Sequence, residues 1–203
     1  MKSKKLLGIL SLFVLSVLFA LPAHAAWTPV GLDGQNVLTL AEDPTAATTW
    51  YAGTANGEIY KYSDSNPIWT SLSSGLPAGY GILSVSINPS NPNIVYAGLD
   101  GQGVYKTIDG GLSWFLSGLA GLSVKSIEID SYNPSIIYAG TGSGIYRSAD
   151  SGVNWTEILA AVDVRKITLN PPDFNQNPLP AQTDTIYAAA IGGIYKSEHA
   201  GSN

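Results

Sequence analysis

The chain of 203 residues contains no cysteine. Disulfide cross-links are therefore excluded, and so is a lipid anchor on a cysteine that follows a signal peptide. Histidine occurs only at residues 24 and 199, which gives no support to a histidine metal cluster or a Ser-His-Asp triad. The sequence predicts no metal and no cofactor, and the fold must be stabilised by burial and hydrogen bonds.

Basic residues are few, and three of them are at the N-terminus. Lys2, Lys4 and Lys5 precede an apolar run over residues 6–21, and Pro22 to Ala25 supply a small-residue cleavage site. Spanning a bilayer takes roughly 20 apolar residues, and this run is shorter and ends at a proline. The pattern predicts a cleaved signal peptide over 1–25, a secreted or periplasmic location, and no membrane association after cleavage.

The predicted mature part, 26–203, is acidic. It retains 7 basic and 15 acidic residues, a formal net charge of −8. Phosphate binding needs a basic face, so a nucleic-acid partner is not expected. The length suits one domain with a substantial core.

One cassette recurs four times in this part, and internal repeats of 20–50 residues indicate a repeat fold. Each copy has an alternating apolar segment, an aromatic-small-small step, an Ile/Val-Tyr-basic step and, in the first three copies, a tryptophan eight residues after the basic residue. The aromatic steps begin at Tyr51, Tyr96, Tyr138 and Tyr187, with spacings of 45, 42 and 49 residues.

Each cassette predicts four short antiparallel strands, because alternating residues rich in Val, Ile, Thr and Tyr are cut by Gly, Pro, Asn and Ser clusters. No part of 26–203 shows a helical period. Four strands per cassette are typical of a β-propeller blade. The sequence thus predicts an all-β propeller with about four blades of four-stranded antiparallel sheet, spanning roughly 37–72, 82–117, 124–159 and 164–203.

Two copies share a turn motif between the third and fourth strands, which we call the aspartate turns. They run from Thr107 to Trp114 and from Ser148 to Trp155. The motif resembles the Asp-box, or BNR repeat, Ser/Thr-x-Asp-x-Gly-x-Thr/Ser-Trp. An aspartate accepts hydrogen bonds from the backbone that follows it, and glycine allows the positive φ that closes such a turn. We expect structural roles for Asp64, Trp69, Thr107, Asp109, Gly111, Trp114, Ser148, Asp150, Gly152 and Trp155.

The resemblance covers all of 26–203 and implies a propeller related to sialidases, family 74 glycoside hydrolases, sortilin-type receptors and photosystem II assembly factors. The residue pattern of the repeats is most similar to the family 74 and assembly-factor types. Sialidases use three arginines for the substrate carboxylate, whereas this chain has only Arg147 and Arg165. Sialidase activity is therefore excluded, and an arginine-rich patch of the assembly-factor type is excluded in the same way.

A family 74 hydrolase needs two carboxylates across a cleft, one protonated and one ionised. The only candidate pair is Asp33 and Asp100, each in the string Gly-Leu-Asp-Gly-Gln, and turn formation by Asp-Gly is the alternative role. In related propellers, ligands bind on the face opposite the Asp-boxes, where we place Glu58, Tyr80 and Asp163. The sequence favours a secreted, non-catalytic module that binds an extracellular protein or polysaccharide; the alternative is a fragment of a β-glucan hydrolase.

The two ends of the repeat array complement each other. The fourth cassette would need its tryptophan at position 204, and residues 27–32 resemble a spare outer strand that precedes the first cassette. Two explanations remain open: the spare strand closes a four-bladed ring, or the chain is part of a larger propeller whose further blades come from a longer or a second chain.

Overall fold

The computed structural model describes residues 28–170 and 185–198. The predicted signal peptide, Trp27, residues 171–184 and His199 lie outside this part of the chain. The chain divides into Met1–Val30, of which residues 28–30 are described and have no regular secondary structure, and a compact unit from Gly31 onward. Among the described residues, no helix has the length and apolar character needed to cross a membrane.

The described elements are all β-strands, arranged as four successive antiparallel sheets that we call blades. The first blade contains β1 (Val37–Asp43), β2 (Ala46–Thr54), β3 (Ile59–Ser63) and β4 (Asn66–Ser71). The second contains β5 (Ile82–Ile87), β6 (Val95–Leu99), β7 (Gly103–Thr107) and β8 (Phe115–Gly118). The third contains β9 (Val124–Ile129), β10 (Ile137–Thr141), β11 (Gly144–Ser148) and β12 (Thr156–Ala160), and the fourth contains β13 (Val164–Asn170), β14 (Thr185–Ala190) and β15 (Gly193–Ser197).

Each blade is a meander in which every strand pairs with the next along the chain. The first strands of successive blades pack side by side, β1 on β5, β5 on β9 and β9 on β13. This arrangement confirms the predicted all-β fold of propeller-type blades. The described part of the fourth blade has three strands.

The core lies between blades, in three seams. In the first seam, Tyr51 and Ile59 of the first blade pack with Ile82 and Val95 of the second, and all four are fully buried. The same repeat positions form the second and third seams. The period-two pattern explains this, because alternate residues of a strand face opposite sides of the sheet and so reach opposite neighbours.

The structure describes residues 28–32 of the predicted spare strand over 27–32. None of residues 28–32 belongs to a strand. Gly31 has φ +113° and Leu32 has φ +58°, and positive φ values turn the chain away from the extended conformation. Trp27 lies outside the described residues, so the predicted pairing of this segment stays a prediction.

The four blades form an open array. Val37 and Leu40 of the first blade and Tyr187 and Ile194 of the fourth are exposed, although their counterparts inside the array are buried. Residues 28–170 and 185–198 therefore do not form the closed four-bladed ring, which was one of the two explanations for the complementary ends.

Candidate binding face

We call the edge of the blades that carries the β2–β3, β6–β7, β10–β11 and β14–β15 turns the loop face. In a meander, the connections from one blade to the next lie at the same edge as these turns. Backbone hydrogen bonds join each connection to the turns of both flanking blades. Between the first and second blades, Gly79 N donates to Asn56 O at 3.1 Å and Asp100 N donates to Gly81 O at 2.9 Å. The loop face is thus a continuous hydrogen-bonded surface.

Glu58 and Tyr80 belong to neighbouring segments of this face. Gly57 lies against the 77–80 segment, because a Cβ added to Gly57 would be only 2.8 Å from Tyr80 O. Glu58 Oε2 accepts a hydrogen bond from Tyr60 Oη at 2.8 Å, and this bond, with burial, raises the pKa of Tyr60. The Tyr80 side chain is 43% exposed. The structure therefore places the backbone of an exposed tyrosine against a turn that carries a carboxylate.

Asp100 is held as a turn residue. Ser123 Oγ donates to Asp100 Oδ1 at 2.5 Å and accepts from Gly101 N at 3.0 Å. Asp33 lies in the turn that precedes β1, and its side chain is exposed. No hydrogen bond or ion pair among the described residues joins Asp33 to Asp100, so their pairing as catalytic carboxylates stays a prediction.

Asp163 is part of a charge cluster between the third and fourth blades. Its carboxylate pairs with Lys125 Nζ and with Arg165 Nη2, the latter at 3.0 Å. The hydrogen bond from Lys125, with the charges of both cations, lowers the pKa of Asp163. Sequence reasoning missed Lys125 and Arg165 as site residues. The signal was present, because each is the second residue of a blade's first strand.

The aspartate turns lie at the opposite edge of the blades. In the first, Thr107 Oγ1 donates to Asp109 Oδ1 at 2.6 Å and accepts from Gly111 N at 3.0 Å. Asp109 also accepts from Ser113 N at 2.9 Å and from Ser113 Oγ. The second turn repeats this network with Ser148, Asp150, Gly152 and Asn154.

Both carboxylates are strongly stabilised in the ionised form. The Ser113 and Thr107 hydroxyls and the Ser113 N–H lower the pKa of Asp109 to about 2. The backbone and side-chain amides of Asn154, with the Ser148 hydroxyl, lower the pKa of Asp150 to about 2. Hydrogen bonds to the charged form have this effect.

The aspartate turns also bond to the preceding blade. Tyr51 Oη donates to Gly110 O at 3.0 Å, and Tyr96 Oη donates to Ser151 O at 2.9 Å. Trp114 Nε1 donates to Leu72 O at 2.7 Å, and Trp155 Nε1 donates to Ser117 O at 3.3 Å. Each turn therefore acts as a brace between two blades.

The first blade departs from the predicted turn. Ser63 pairs with Asn66, so Asp64 and Ser65 form a two-residue hairpin turn. Such a turn is too short to wrap around a carboxylate, and none of the hydrogen bonds described for this chain involves Asp64. Trp69 keeps its place and packs against Tyr62, with 5.4 Å between ring centroids.

This contrast gives a matched prediction. Asp109→Ala is expected to lower Tm by about 3–6 °C at neutral pH, because the turn loses all its carboxylate bonds, whereas Asp64→Ala should leave Tm unchanged. A lowered native pKa stabilises the fold above the unfolded-state pKa, and this contribution is lost as pH falls through the native pKa. The gap in Tm between the parent chain and Asp109→Ala should therefore narrow between about pH 4 and pH 2. Thermal unfolding followed by circular dichroism measures both effects; equal losses in the two variants would contradict the assigned role.

Among residues 28–170 and 185–198, no three His, Cys, Asp or Glu side chains are grouped in a way that could hold a metal ion.

The sequence matches no protein-family model and no curated protein. Solved structures with similar folds include an ancestral GH74 enzyme (TM-score 0.68, 20% identity), which is matched over 87% of this chain and 25% of that chain. They also include the GH74 xyloglucanase from Xanthomonas campestris (TM-score 0.63, 18% identity, 83% of this chain and 30% of that chain). A third is the extracellular domain of a hybrid two-component system protein from B. thetaiotaomicron (TM-score 0.60, 16% identity, 79% and 21%).

At these identities the likeness establishes the fold alone. The match extends over 30% or less of each of these three chains. The chain therefore shares their propeller-type blades, and their activities do not transfer with the fold.

Proposed function

We propose that this chain is an exported, non-catalytic propeller module that binds an extracellular polysaccharide of the β-glucan type through its loop face. The observation that carries the proposal is the exposure of Tyr80, whose backbone carbonyl lies against the turn that bears Glu58. A tyrosine ring offers a flat apolar surface with a polar edge, which suits the alternating apolar faces and hydroxyl edges of a sugar chain.

The comparisons support the class of ligand and the location. A xyloglucanase acts on a β-glucan, and the third similar structure is an extracellular domain. The predicted signal peptide over 1–25 agrees with export. We also assign the aspartate turns to the Asp-box repeat class, because their residues follow its pattern.

The carboxylates of the loop face support binding over hydrolysis. A glycosidase needs a general acid whose pKa is raised so that it stays protonated. Two cations lower the pKa of Asp163, and the Ser123 hydroxyl holds Asp100 in its turn. The lowered pKa keeps Asp163 ionised, so Asp163 does not supply the proton.

Binding to xyloglucan, measured by affinity gel electrophoresis and calorimetry, tests the proposal. Tyr80→Ala is expected to weaken binding about tenfold, equivalent to about 1.4 kcal/mol. Tyr132→Ala is the matched control, since Tyr132 is similarly exposed but lies in the β9–β10 connection at the opposite edge. Release of reducing ends should be absent.

Other results would overturn this function. Turnover that Asp100→Asn abolishes would make the chain a hydrolase, the rival prediction. Loss of binding in Tyr132→Ala but not in Tyr80→Ala would place the ligand on the opposite edge. Failure to bind any β-glucan, with a partner captured through the loop face instead, would favour a protein ligand.

A further inference from the structure

The side of the fourth blade that faces away from the third carries the same residue types as a buried seam, but it is exposed. We call the side of a blade that packs on the next blade its trailing side. Its tyrosine is fully buried in the first three blades, whereas Tyr187 is 40% exposed. Its Ile/Val position is at most 4% exposed in the first three blades, at Ile59, Val104 and Ile145, whereas Ile194 is 79% exposed.

We call the side of a blade that packs on the preceding blade its leading side. The leading side of the first blade is exposed, which complements the exposed trailing side of the fourth. By strand register, Leu40 is the counterpart of Val85, Ile127 and Ile167. Those three are at most 9% exposed, but Leu40 is 57% exposed. The two ends of the array therefore present the two halves of one seam.

The polar groups of the seam are also in place at both ends. Inside the array, Tyr96 and Lys106 of a trailing side donate to Ser151 O of the next blade. Lys196 lies 5.8 Å from the Tyr187 ring centroid, as Lys106 lies 5.3 Å from the Tyr96 centroid. The repeat position of Ser151 is Ser65 in the first blade, next to the exposed Asp64. Within one copy, Lys196 Nζ pairs with Glu198 Oε1 at 2.6 Å.

The residues that lead into β1 follow the path of an outer strand. Leu32 (φ +58°) repeats Leu119 (φ +56°), and each carbonyl accepts from the amide three residues later, at 3.0 and 3.1 Å. A Cβ on Gly31 would be 2.9 Å from Trp69 Cδ1, as a Cβ on Gly118 would be 2.6 Å from Trp155 Cδ1. Gly118 ends the outer strand β8, so Gly31 and Leu32 mark the end of an outer strand for a blade that would precede the first.

A cavity lies where that strand's tryptophan would fit. It has a volume of about 230 Å³ and lies between the third and fourth blades, with Ile145, Leu159 and Tyr195 in its lining. In the first seam, Trp114 packs in the cluster of Ile59 and bonds to Leu72 O. The counterparts of Ile59 and Leu72 are Ile145 and Ile158, and both line the cavity. Trp27 precedes Gly31 by four residues, just as Trp114 precedes Gly118.

We infer that two copies of this chain associate head to tail. The leading side of one copy's first blade packs on the trailing side of the other copy's fourth blade, residues 27–32 add to that fourth blade as its outer strand, and Trp27 fills the cavity. Such an interface joins two different patches, so copies either close into a ring or form an open chain. Two copies give eight blades, within the usual range of 4–8, and three copies would exceed it.

Ala189 limits how closely the two copies can pack at this interface. The position of Gly53, Gly98 and Gly140 is Ala189 in the fourth blade. In the internal seams, a Cβ there would be 2.4 to 2.8 Å from atoms of the next blade's first strand. The association between copies should therefore be weaker than an internal seam, and Ala189→Gly should strengthen it.

The test is the mass in solution of the chain purified from the exported fraction, measured by light scattering and native mass spectrometry over a range of concentrations. The expected mass is that of two copies. Ile194→Asp and Leu40→Asp should each raise the dimer Kd by about 100-fold or more, and Trp27→Ala should raise it as well. Ile108→Asp is the matched control, because Ile108 is also exposed but lies on an aspartate turn.

Mixing gives the sharper result. Ile194→Asp retains an intact leading side and Leu40→Asp retains an intact trailing side, so their mixture should recover one interface and form a mixed dimer. A monomer at every concentration, a dimer that survives both substitutions, or open chains of many copies would each overturn the inference. Glycan binding through Tyr80 is measured separately and does not depend on these outcomes.

Discussion

Trp114→Ala is expected to destabilise the chain by about 3–5 kcal/mol and to lower Tm by about 10 °C. Trp114 is buried in the first seam, so its removal leaves a cavity that two rigid sheets cannot close. It also leaves Leu72 O without the donor at 2.7 Å, and the loss of a partner for a partly buried acceptor adds to the cost. Urea unfolding measures the loss.

Two further variants separate packing from hydrogen bonding. Trp114→Phe keeps a ring but no donor, so it should cost about 1–3 kcal/mol, the price of an unsatisfied acceptor. Phe115→Ala removes a neighbouring ring that is half exposed, and it should cost less than about 1 kcal/mol. A Phe115→Ala loss as large as that of Trp114→Ala would show that the seam does not depend on Trp114.

Gly98→Ala is expected to cost about 3 kcal/mol, at the upper end for overpacking. Gly98 lies where β6 passes the first strand of the next blade. A Cβ there would be 2.4 Å from Val124 O and 2.3 Å from Ser84 Oγ. The first of these is a backbone atom, so the third blade would have to move as a whole. Thermal and urea unfolding both report the effect.

Gly142→Ala is the matched control for this prediction. The nearest atom to an added Cβ at Gly142 is Lys125 Nζ at 3.9 Å, and the φ of Gly142 is not positive. Replacing glycine at such a position restricts the unfolded chain and stabilises by about 0.4–1 kcal/mol. If Gly98→Ala and Gly142→Ala had the same stability, close contact between blades would not explain the glycine of the aromatic-small-small step.

The sequence predicted the blades because their signal is local and repeated. The aromatic-small-small steps lie in the second strand of each blade and begin at Tyr51, Tyr96, Tyr138 and Tyr187. Successive side chains of a strand point to opposite sides of the sheet, so the alternation in sequence predicts which residues face which adjacent blade. The networks of Asp109 and Asp150 were predictable for the same reason, since all their partners lie within four residues.

What the sequence could not predict depends on register or on contacts between blades. Asp64 occupies the repeat position of Asp109, but the pairing of Ser63 with Asn66 shortens the turn. Lys125 and Asp163 are 38 residues apart and meet only because two blades pack side by side. Tyr187 and Tyr138 are equivalent in sequence, and only their surroundings decide that one is exposed and the other buried.

The seams determine how stability is distributed along the array, because each core cluster is shared by two adjacent blades. The stability of such an array is approximately a sum of nearest-neighbour terms, as in a one-dimensional chain of coupled units. The second and third blades are each held by two such couplings, and the first and fourth by one apiece within a single copy. We therefore expect strain introduced at one seam to be confined to two blades, and the first and fourth blades to open before the second and third.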